Sequence, residues 1–354
     1  MIMKGSDNIL DMLKDKGAEA VRSAHRGLIL QPGAIGDCIL TLPLAGFMKK
    51  SLGLGSVDIL GRTEYISILP GRTCVNGVRS MDSLELHRLF ISAKEFDVAD
   101  GDALINFFAD YCWIVTFLGE PYSDFEQNLI YTVNCSHSGE VITLPMKPPA
   151  KFKGHLSDFY AQQFVEQCGM SLKRSRPVKD AALIKATKND IKNGKELLKE
   201  FDVKFSGNLV VLHPGSGGLH KCWHVENFLA VAQKLISKGF EVVFLLGPAE
   251  QEKFSPSVID DVKKTAKCLT DLSLTQVLWV LSCSDGFIGN DSGITHLAAG
   301  LGVKTIAVFG PTSPALYRPT GPAVTIFAGR AVTFAKRPSP ALQRKLMDVA
   351  GKWF

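Results

Sequence analysis

The strongest constraint on the fold is an alternation. Short apolar runs of strand length recur along the 354 residues, separated by stretches with helical spacing. A parallel strand needs a crossover, usually a helix, to return beside its neighbour, so this alternation points to parallel α/β architecture. "RGLILQ" (26–31), "SVDILG" (56–61), "ALINFF" (103–108) and "EVITLP" (140–145) read as strands of a first half. "NLVVLHP" (208–214), "EVVFLLG" (241–247), "GFIGND" (286–291) and "KTIAVFG" (304–310) read as strands of a second. Between two of these, "HVENFLAVAQKLISKG" puts Phe228, Ala232, Leu235 and Ile236 on one helical face, with Gly239 as its terminator. The result is a β-α-β unit with an expected right-handed crossover.

The length is about twice that of an ordinary domain, which predicts two cores. A polar, Lys-rich stretch, "MSLKRSRPVKDAALIKATKNDIKNGKELLKEF", holds the expected boundary near Ser175 and a surface helix over Lys188–Phe201. The expected division is 1–174, 175–337 and a C-terminal helix over 338–354. Two doubly wound sheets facing each other would bring the carboxyl ends of their strands to one central cleft, where such sheets bind ligands.

Composition narrows the function. With 46% hydrophobic and 21% charged residues, the chain has the balance of a soluble globular protein. No apolar run reaches the roughly 18 residues that a membrane span needs. The N-terminal residues mix Asp and Glu with Lys and Arg and lack an apolar core, so they are read as a short helix or frayed leader and not as a secretory signal. Eight cysteines without one C-x-x-C argue against zinc, iron-sulfur clusters and a disulfide framework, and point to a reducing, cytoplasmic location. A net charge of +5 is too weak to mark a nucleic-acid binder. From Arg330 to Phe354, however, six Lys or Arg stand against one acid, Asp348. That tail reads either as a solvated helix or as a surface drawn to an anionic membrane, helped by Trp353 and Phe354.

Three motifs carry chemistry, and all fall at carboxyl ends of expected strands. In "QPGAIGDCILTLP", Gly33 and Gly36 allow a compact turn and Asp37 follows it, as a helix cap or as an acid-base group; Pro43 obscures where the helix begins. The spacing is not the dinucleotide fingerprint G-x-G-x-x-G, which demotes hydride chemistry. In "HPGSGGLHKCWHVENF", Gly215, Gly217 and Gly218 let backbone N–H groups face an anion, Ser216 adds a hydroxyl and Lys221 a positive charge. His213, His220 and His224 lie close by, but in a Gly-rich loop without an acid cluster, so no metal site is expected. In "GFIGNDSGITHLAAGLGVKTIAVFG", Asp291 or Ser292 caps a helix whose first turns carry Gly293 and His296. The second and third motifs together suggest a pyrophosphate held between them.

In this order the segments resemble glycosyltransferase family 9, the heptosyltransferases of bacterial lipopolysaccharide assembly. The family pattern runs G-x-x-G-D-x-x-x-x-x-P, H-P-G-S-G with K-x-W, G-N-D-S-G-x-x-H-L-A-A-x-L-G and F-G-x-T. It is matched here by Gly33 to Pro43, His213 to Trp223, Gly289 to Gly302 and Phe309 to Thr312. The resemblance implies a GT-B fold of two Rossmann-like domains, an acceptor in the first and an ADP-activated sugar in the second, with the C-terminal helix packing back toward the first. It implies an inverting transfer of heptose or a related sugar to a lipopolysaccharide-core-type glycolipid, at the inner face of the membrane, without a metal or other cofactor. By the same resemblance Asp37 is the catalytic base and Lys221 the phosphate-binding lysine. Gly215, Ser216, Gly217, Asp291, Ser292, Gly293 and His296 hold the donor, and Glu250 or Glu252 meets the nucleoside. Arg62 and Arg72 are acceptor candidates that no motif fixes. Many members carry Arg or Lys where this chain has Gln31.

Other readings of the same residues are another GT-B sugar-nucleotide enzyme, such as an epimerase or protein glycosyltransferase, or a catalytically silent nucleotide-binding paralogue. Asp100-Gly-Asp102 resembles a D-x-D metal motif but reads as an Asp-Gly turn before a strand. The aromatic run "INFFADYCWIVTFLGEPYSDF" reads as core of the first half.

Overall fold

The structure, a computed structural model, describes residues 25–169, 181–204, 207–329 and 334–353. The leader, the boundary near Ser175, Arg330 and Phe354 lie outside the described residues, as do the side chains of Lys352 and Trp353. Within the described residues the chain forms two compact units. The first collects residues up to Gly33, then Thr41–Pro148, then Tyr160 onward; the second collects Ala34–Leu40, Pro149–Phe159 and everything from residue 181.

The first unit is a five-stranded sheet made of β1 (Arg26–Gln31), β2 (Ser56–Gly61), β3 (Gly77–Ser80), β4 (Trp113–Thr116) and β5 (Glu140–Thr143). Its order is β3-β2-β1-β4-β5 and every pairing is parallel. The second is a six-stranded sheet made of β6 (Leu209–His213), β7 (Glu241–Leu246), β8 (Lys267–Thr270), β9 (Gly286–Asn290), β10 (Lys304–Phe309) and β11 (Val324–Ala328). Its order is β11-β10-β9-β6-β7-β8, again all parallel. Both are doubly wound, Rossmann-like sheets, as the GT-B class requires. In each, the chain starts at the middle and reverses direction once, between β1 and β4 in the first sheet and between β6 and β9 in the second. Ligands of such sheets bind where the order reverses.

Helices return the chain between strands. After β1 comes α1 (Ile35–Ser51), whose first residues group with the second unit and the rest with the first; in the first unit α2 (Asp124–Asn134) packs Phe125, Leu129 and Val133 with Leu28, Leu30, Phe108 and Ile114. The aromatic run is largely core, with Phe108, Tyr111 and Phe125 almost fully buried. In the second unit, α3 (Lys188–Glu200), α4 (Val225–Ser237), α5 (Leu274–Ser282), α6 (Gly293–Gly300) and α7 (Pro340–Trp353) flank the sheet elements. The apolar face of α7 places Leu346 and Ala350 in the same core as Phe228, Val231, Ile306 and Val308. No helix among the described residues is long and apolar enough to cross a membrane.

Three expectations are corrected here. "ALINFF" is a helix, Ala103–Phe108, not a strand: the Asp102 side chain accepts the Leu104 N–H at 2.9 Å and starts the turn, and Leu104 and Phe108 point to the core. Asp102 also takes both arms of the Arg88 guanidinium, at 3.2 and 2.7 Å, which holds its carboxyl below the usual range. In α4 the buried stripe is Phe228, Val231, Ala232 and Leu235, whereas Ile236 is exposed. Pro43 does not delay α1, which runs through it; the proline withholds the N–H that the Ile39 carbonyl would take, while the next carbonyl, that of Leu40, accepts the Ser157 hydroxyl at 2.7 Å.

Candidate functional site

The two phosphate-type loops lie on either side of the reversal point of the second sheet. One leaves β6 at His213 and the other leaves β9 at Asn290, and these strands are neighbours, with His213 opposite Gly289. Asn290 is fully buried and ties the loops together: its amide donates to the Pro214 carbonyl at 2.7 Å, and its carbonyl oxygen accepts the Trp223 N–H at 2.9 Å. The Ser216 hydroxyl donates to the Asp291 main-chain carbonyl at 2.6 Å, a second tie. The loop is therefore held by side-chain bonds, and its exposed tip at Gly217 is open to solvent.

Asp291 is nearly buried, and its Oδ2 is shared. The Lys221 ammonium lies 3.4 Å away and the Thr312 hydroxyl donates at 2.7 Å. The lysine stands beside the loop without being sealed in, since its side chain remains one-third exposed. Ser292, not Asp291, caps α6: its hydroxyl accepts the Thr295 N–H at 3.4 Å. The free N–H groups and the dipole of a helix start favour an anion there. His296, one turn in, is buried, and its Nδ1 has no partner. Burial drives its pKa down to about 4, with His155 and Lys221 pushing the same way and Asp291 opposing.

The turn that opens α1 belongs to this same unit. A methyl group added to Gly293 would overlap the Ile35 side chain and come within 3.2 Å of the Gly36 amide nitrogen; one added to Gly36 would touch His296 Cδ2 at 3.4 Å. Glycine at both positions is what allows the two backbones to come so near. Asp37 is in the first turn of α1, and its carboxylate accepts the Ala34 N–H at 3.1 Å. The capping interaction is thus present, one residue after the glycine that abuts His296 and Gly293.

On the other side of the β6 loop, Glu250 is buried while Glu252 is exposed. The Glu250 carboxylate occupies the space a Cβ on Gly215 would need, which explains glycine there. It accepts the Gly247 N–H at 2.7 Å and lies 3.8 Å from His213 Nε2. Burial opposes its charge, but His213 and the amide protons prevail and hold the carboxyl below its ordinary range.

Asp37, Gly215, Ser216, Lys221, Glu250, Asp291, Ser292, Gly293 and His296 therefore all belong to the second unit, whereas Glu252 points to solvent. Arg62 and Arg72 belong to the first unit, Arg62 exposed and Arg72 donating to the Ile68 carbonyl at 3.3 Å. Three further residues escaped the motif reading. Thr312 holds Asp291, although it lay inside the F-G-x-T block. Tyr317 has its phenol pKa raised first by burial and then by the charges of Asp37 and Asp291, so its ring stands in the field of both. The segment that carries it is fixed at its far end by His155, whose Nε2 lies 2.8 Å from the Arg318 carbonyl. No motif marks Tyr317 or His155. Among the described residues, no group of three or more His, Cys, Asp or Glu is arranged to hold a metal ion.

The profile for Glycosyltransferase family 9 (heptosyltransferase) matches residues 156–341, just over half of the chain. Lipopolysaccharide heptosyltransferase 3 of Escherichia coli is 22% identical over 291 residues, spanning 78% of this chain and 81% of its own length. A solved glycosyl transferase family 9 structure from Veillonella parvula DSM 2008 superposes with a TM-score of 0.66 at 16% identity, over 93% of this chain and 97% of that one. E. coli ADP-heptose lps heptosyltransferase II gives 0.63 at 16% identity, over 93% and 98%. At such identities the structural likeness establishes the fold.

Proposed function

The chain belongs to glycosyltransferase family 9, and we propose that it is an inverting transferase that moves a heptose or related sugar from an ADP-sugar to a glycolipid acceptor of the lipopolysaccharide-core type. The observation that carries this reading is the meeting, within one unit, of the Asp37 turn with two anion-binding backbones and Lys221. A sugar transferred from a diphosphate needs these parts: a base for the acceptor hydroxyl, and fixed positive groups for the charge that grows on the leaving group. A solved relative is named for ADP-heptose, which favours that donor.

In this mechanism Asp37 takes the proton of the attacking hydroxyl. The oxygen enters opposite the diphosphate, through a sugar centre with oxocarbenium character, and the configuration inverts. Lys221, the N–H groups of the 215–218 loop and the start of α6 take up the departing charge; preorganised donors of this kind contribute on the order of 10²- to 10³-fold each. Glu250 faces the nucleoside and Ser292, Asp291 and His296 the phosphates and sugar hydroxyls. Arg62 and Arg72 remain acceptor candidates. Nothing in this scheme calls for a divalent cation, so turnover is expected to survive exhaustive chelation; a loss that added Mg²⁺ or Mn²⁺ restores would refute the metal-free scheme. The enzyme would work in the cytoplasm, at the inner face of the membrane that carries its acceptor.

The test is ADP release from ADP-heptose with and without a truncated lipopolysaccharide-core acceptor, run beside ADP-glucose and UDP-glucose. Acceptor-dependent release from ADP-heptose is the expected result. Release from no ADP-sugar, or equal rates with UDP-glucose, would overturn the donor assignment.

A further inference from the structure

His213 closes β6 and is only 5% exposed. Its ring lies beside Phe287, with centroids 6.5 Å apart and planes 30° from parallel. Nδ1 is 3.4 Å from Ser292 Oγ and Nε2 is 3.8 Å from Glu250 Oε2. These partners stand in different parts of the site, Ser292 at the cap of α6 and Glu250 in the turn after β7.

The protons in this chain are few enough to follow. The Thr295 hydroxyl gives its single proton to the Asn290 carbonyl, so it offers Ser292 only lone pairs, at 3.0 Å. Ser292 then has one proton and two acceptors, Thr295 Oγ1 and His213 Nδ1. If it donates to His213, the ring proton sits on Nε2 and points at Glu250. If it donates to Thr295, His213 must carry a proton on Nδ1 to meet the serine oxygen. At 3.8 Å the Glu250 carboxylate acts on the ring through its charge, which favours the Nε2 proton and so a Ser292 that donates to Nδ1; the serine rotor, the imidazole and the carboxylate are thereby linked, and buried chains of this kind act as units and not as sums of pairs.

We propose that His213 is a positioning residue that couples nucleoside recognition at Glu250 to the phosphate-facing cap of α6 through Ser292. The inference rests on the donor-site reading given above. Coupling of this kind would hold the two ends of the nucleotide in register, so that a nucleoside poorly seated at Glu250 also weakens the phosphate end. It adds a donor-discriminating role to a histidine weighed from the sequence only as a metal ligand, and set aside as one.

A double-mutant cycle tests it. Glu250→Gln, Ser292→Ala and the double variant are made with His213 intact and again with His213→Leu, and ADP affinity is measured by calorimetry for all eight proteins. With His213 present, the loss in the double variant is expected to differ about fivefold or more from the product of the single losses, within the range found for residues of one network. With His213→Leu the two losses should multiply. His213→Asn, whose amide reaches only the Ser292 side, and His213→Gln, which reaches only Glu250, should fold where leucine does not, and neither should restore the coupling. Losses that multiply with His213 intact, or coupling that persists in the His213 variants, would overturn the proposal. The same cycle on the unfolding equilibrium separates the failures: coupling there without any ADP binding by the parent protein would sink the donor reading, and the positioning role with it.

Discussion

Asp37 accepts the Ala34 amide proton, as any aspartate near a helix start does. The function read here depends on a second role, and Asp37→Asn separates the two, because asparagine keeps an oxygen for the cap but cannot take a proton. Turnover should fall by about 10²- to 10⁴-fold while ADP affinity stays within a few-fold. Near-normal turnover would leave Asp37 as a cap alone. Gly215→Ala puts a methyl where the Glu250 carboxylate now lies, and calorimetry should report ADP binding weakened at least tenfold in a protein that still folds; unchanged affinity would detach Glu250 from the nucleoside. His296 yields a pH signature. Its folded pKa, about 4, lies below the ordinary value of 6.5, so the unfolded chain binds the proton first as pH falls. The stability that its neutral form contributes is whole above about pH 6.5 and is lost as pH drops toward 4, at no more than about 1.4 kcal/mol per unit. Between pH 7 and 5 the urea midpoint of the parent should fall more than that of His296→Gln; equal falls would show that His296 titrates normally.

At the scale of elements, the four-residue β3, β4 and β8 and the half-buried β11 were not named from the sequence, while seven of the eight apolar runs that were named are strands and "ALINFF" is not. That segment failed because its one helix signal, Asp102, sits in an Asp-Gly pair that also spells a turn, and six residues are too few to display a period. Ile236 failed for another reason: a 3.6-residue stripe drawn through Val231 needs no further member, and sequence cannot say on which side the stripe ends. The glycine-rich turns after β6 and β9 were legible as turns because their signal is local. Thr312, Tyr317 and His155 were not legible, since each acts through residues distant in sequence: Asp291 for Thr312, Asp37 and Asp291 for Tyr317, and Arg318 for His155. The α3–α5 contact was also hidden. A glycine within a helix reads as a weakness, yet a Cβ on Gly194 would stand 2.3 Å from the Trp279 carbonyl, while Asp190 accepts the Trp279 indole N–H at 3.1 Å. Gly194→Val should therefore cost about 1–3 kcal/mol, visible as a lower thermal midpoint, with ADP affinity unchanged. A variant as stable as the parent would mean that the two helices part without penalty.

At the scale of the whole molecule, the exposed Lys336, Arg337, Arg344 and Lys345 border a helix whose other face is committed to the core. Each contributes about 1 kcal/mol beside an anionic bilayer, screened beyond roughly 8 Å at physiological salt. The intact protein should co-sediment with anionic vesicles and less with neutral ones, and a charge-reversed Arg344/Lys345 variant should lose the difference; equal binding throughout would make the tail purely structural. The partition of the chain carries a consequence for anyone who would rebuild this enzyme. Ala34–Leu40 and Pro149–Phe159 group with the second unit although first-unit residues flank them on both sides, so the two bodies are interleaved along the polypeptide and no single cut frees either one. A fragment starting at residue 181 would leave behind the turn that abuts Gly293 and His296. Chimeras meant to exchange donor preference between relatives must therefore transplant three separate pieces, and a one-crossover graft should yield a protein that is made but does not bind nucleotide.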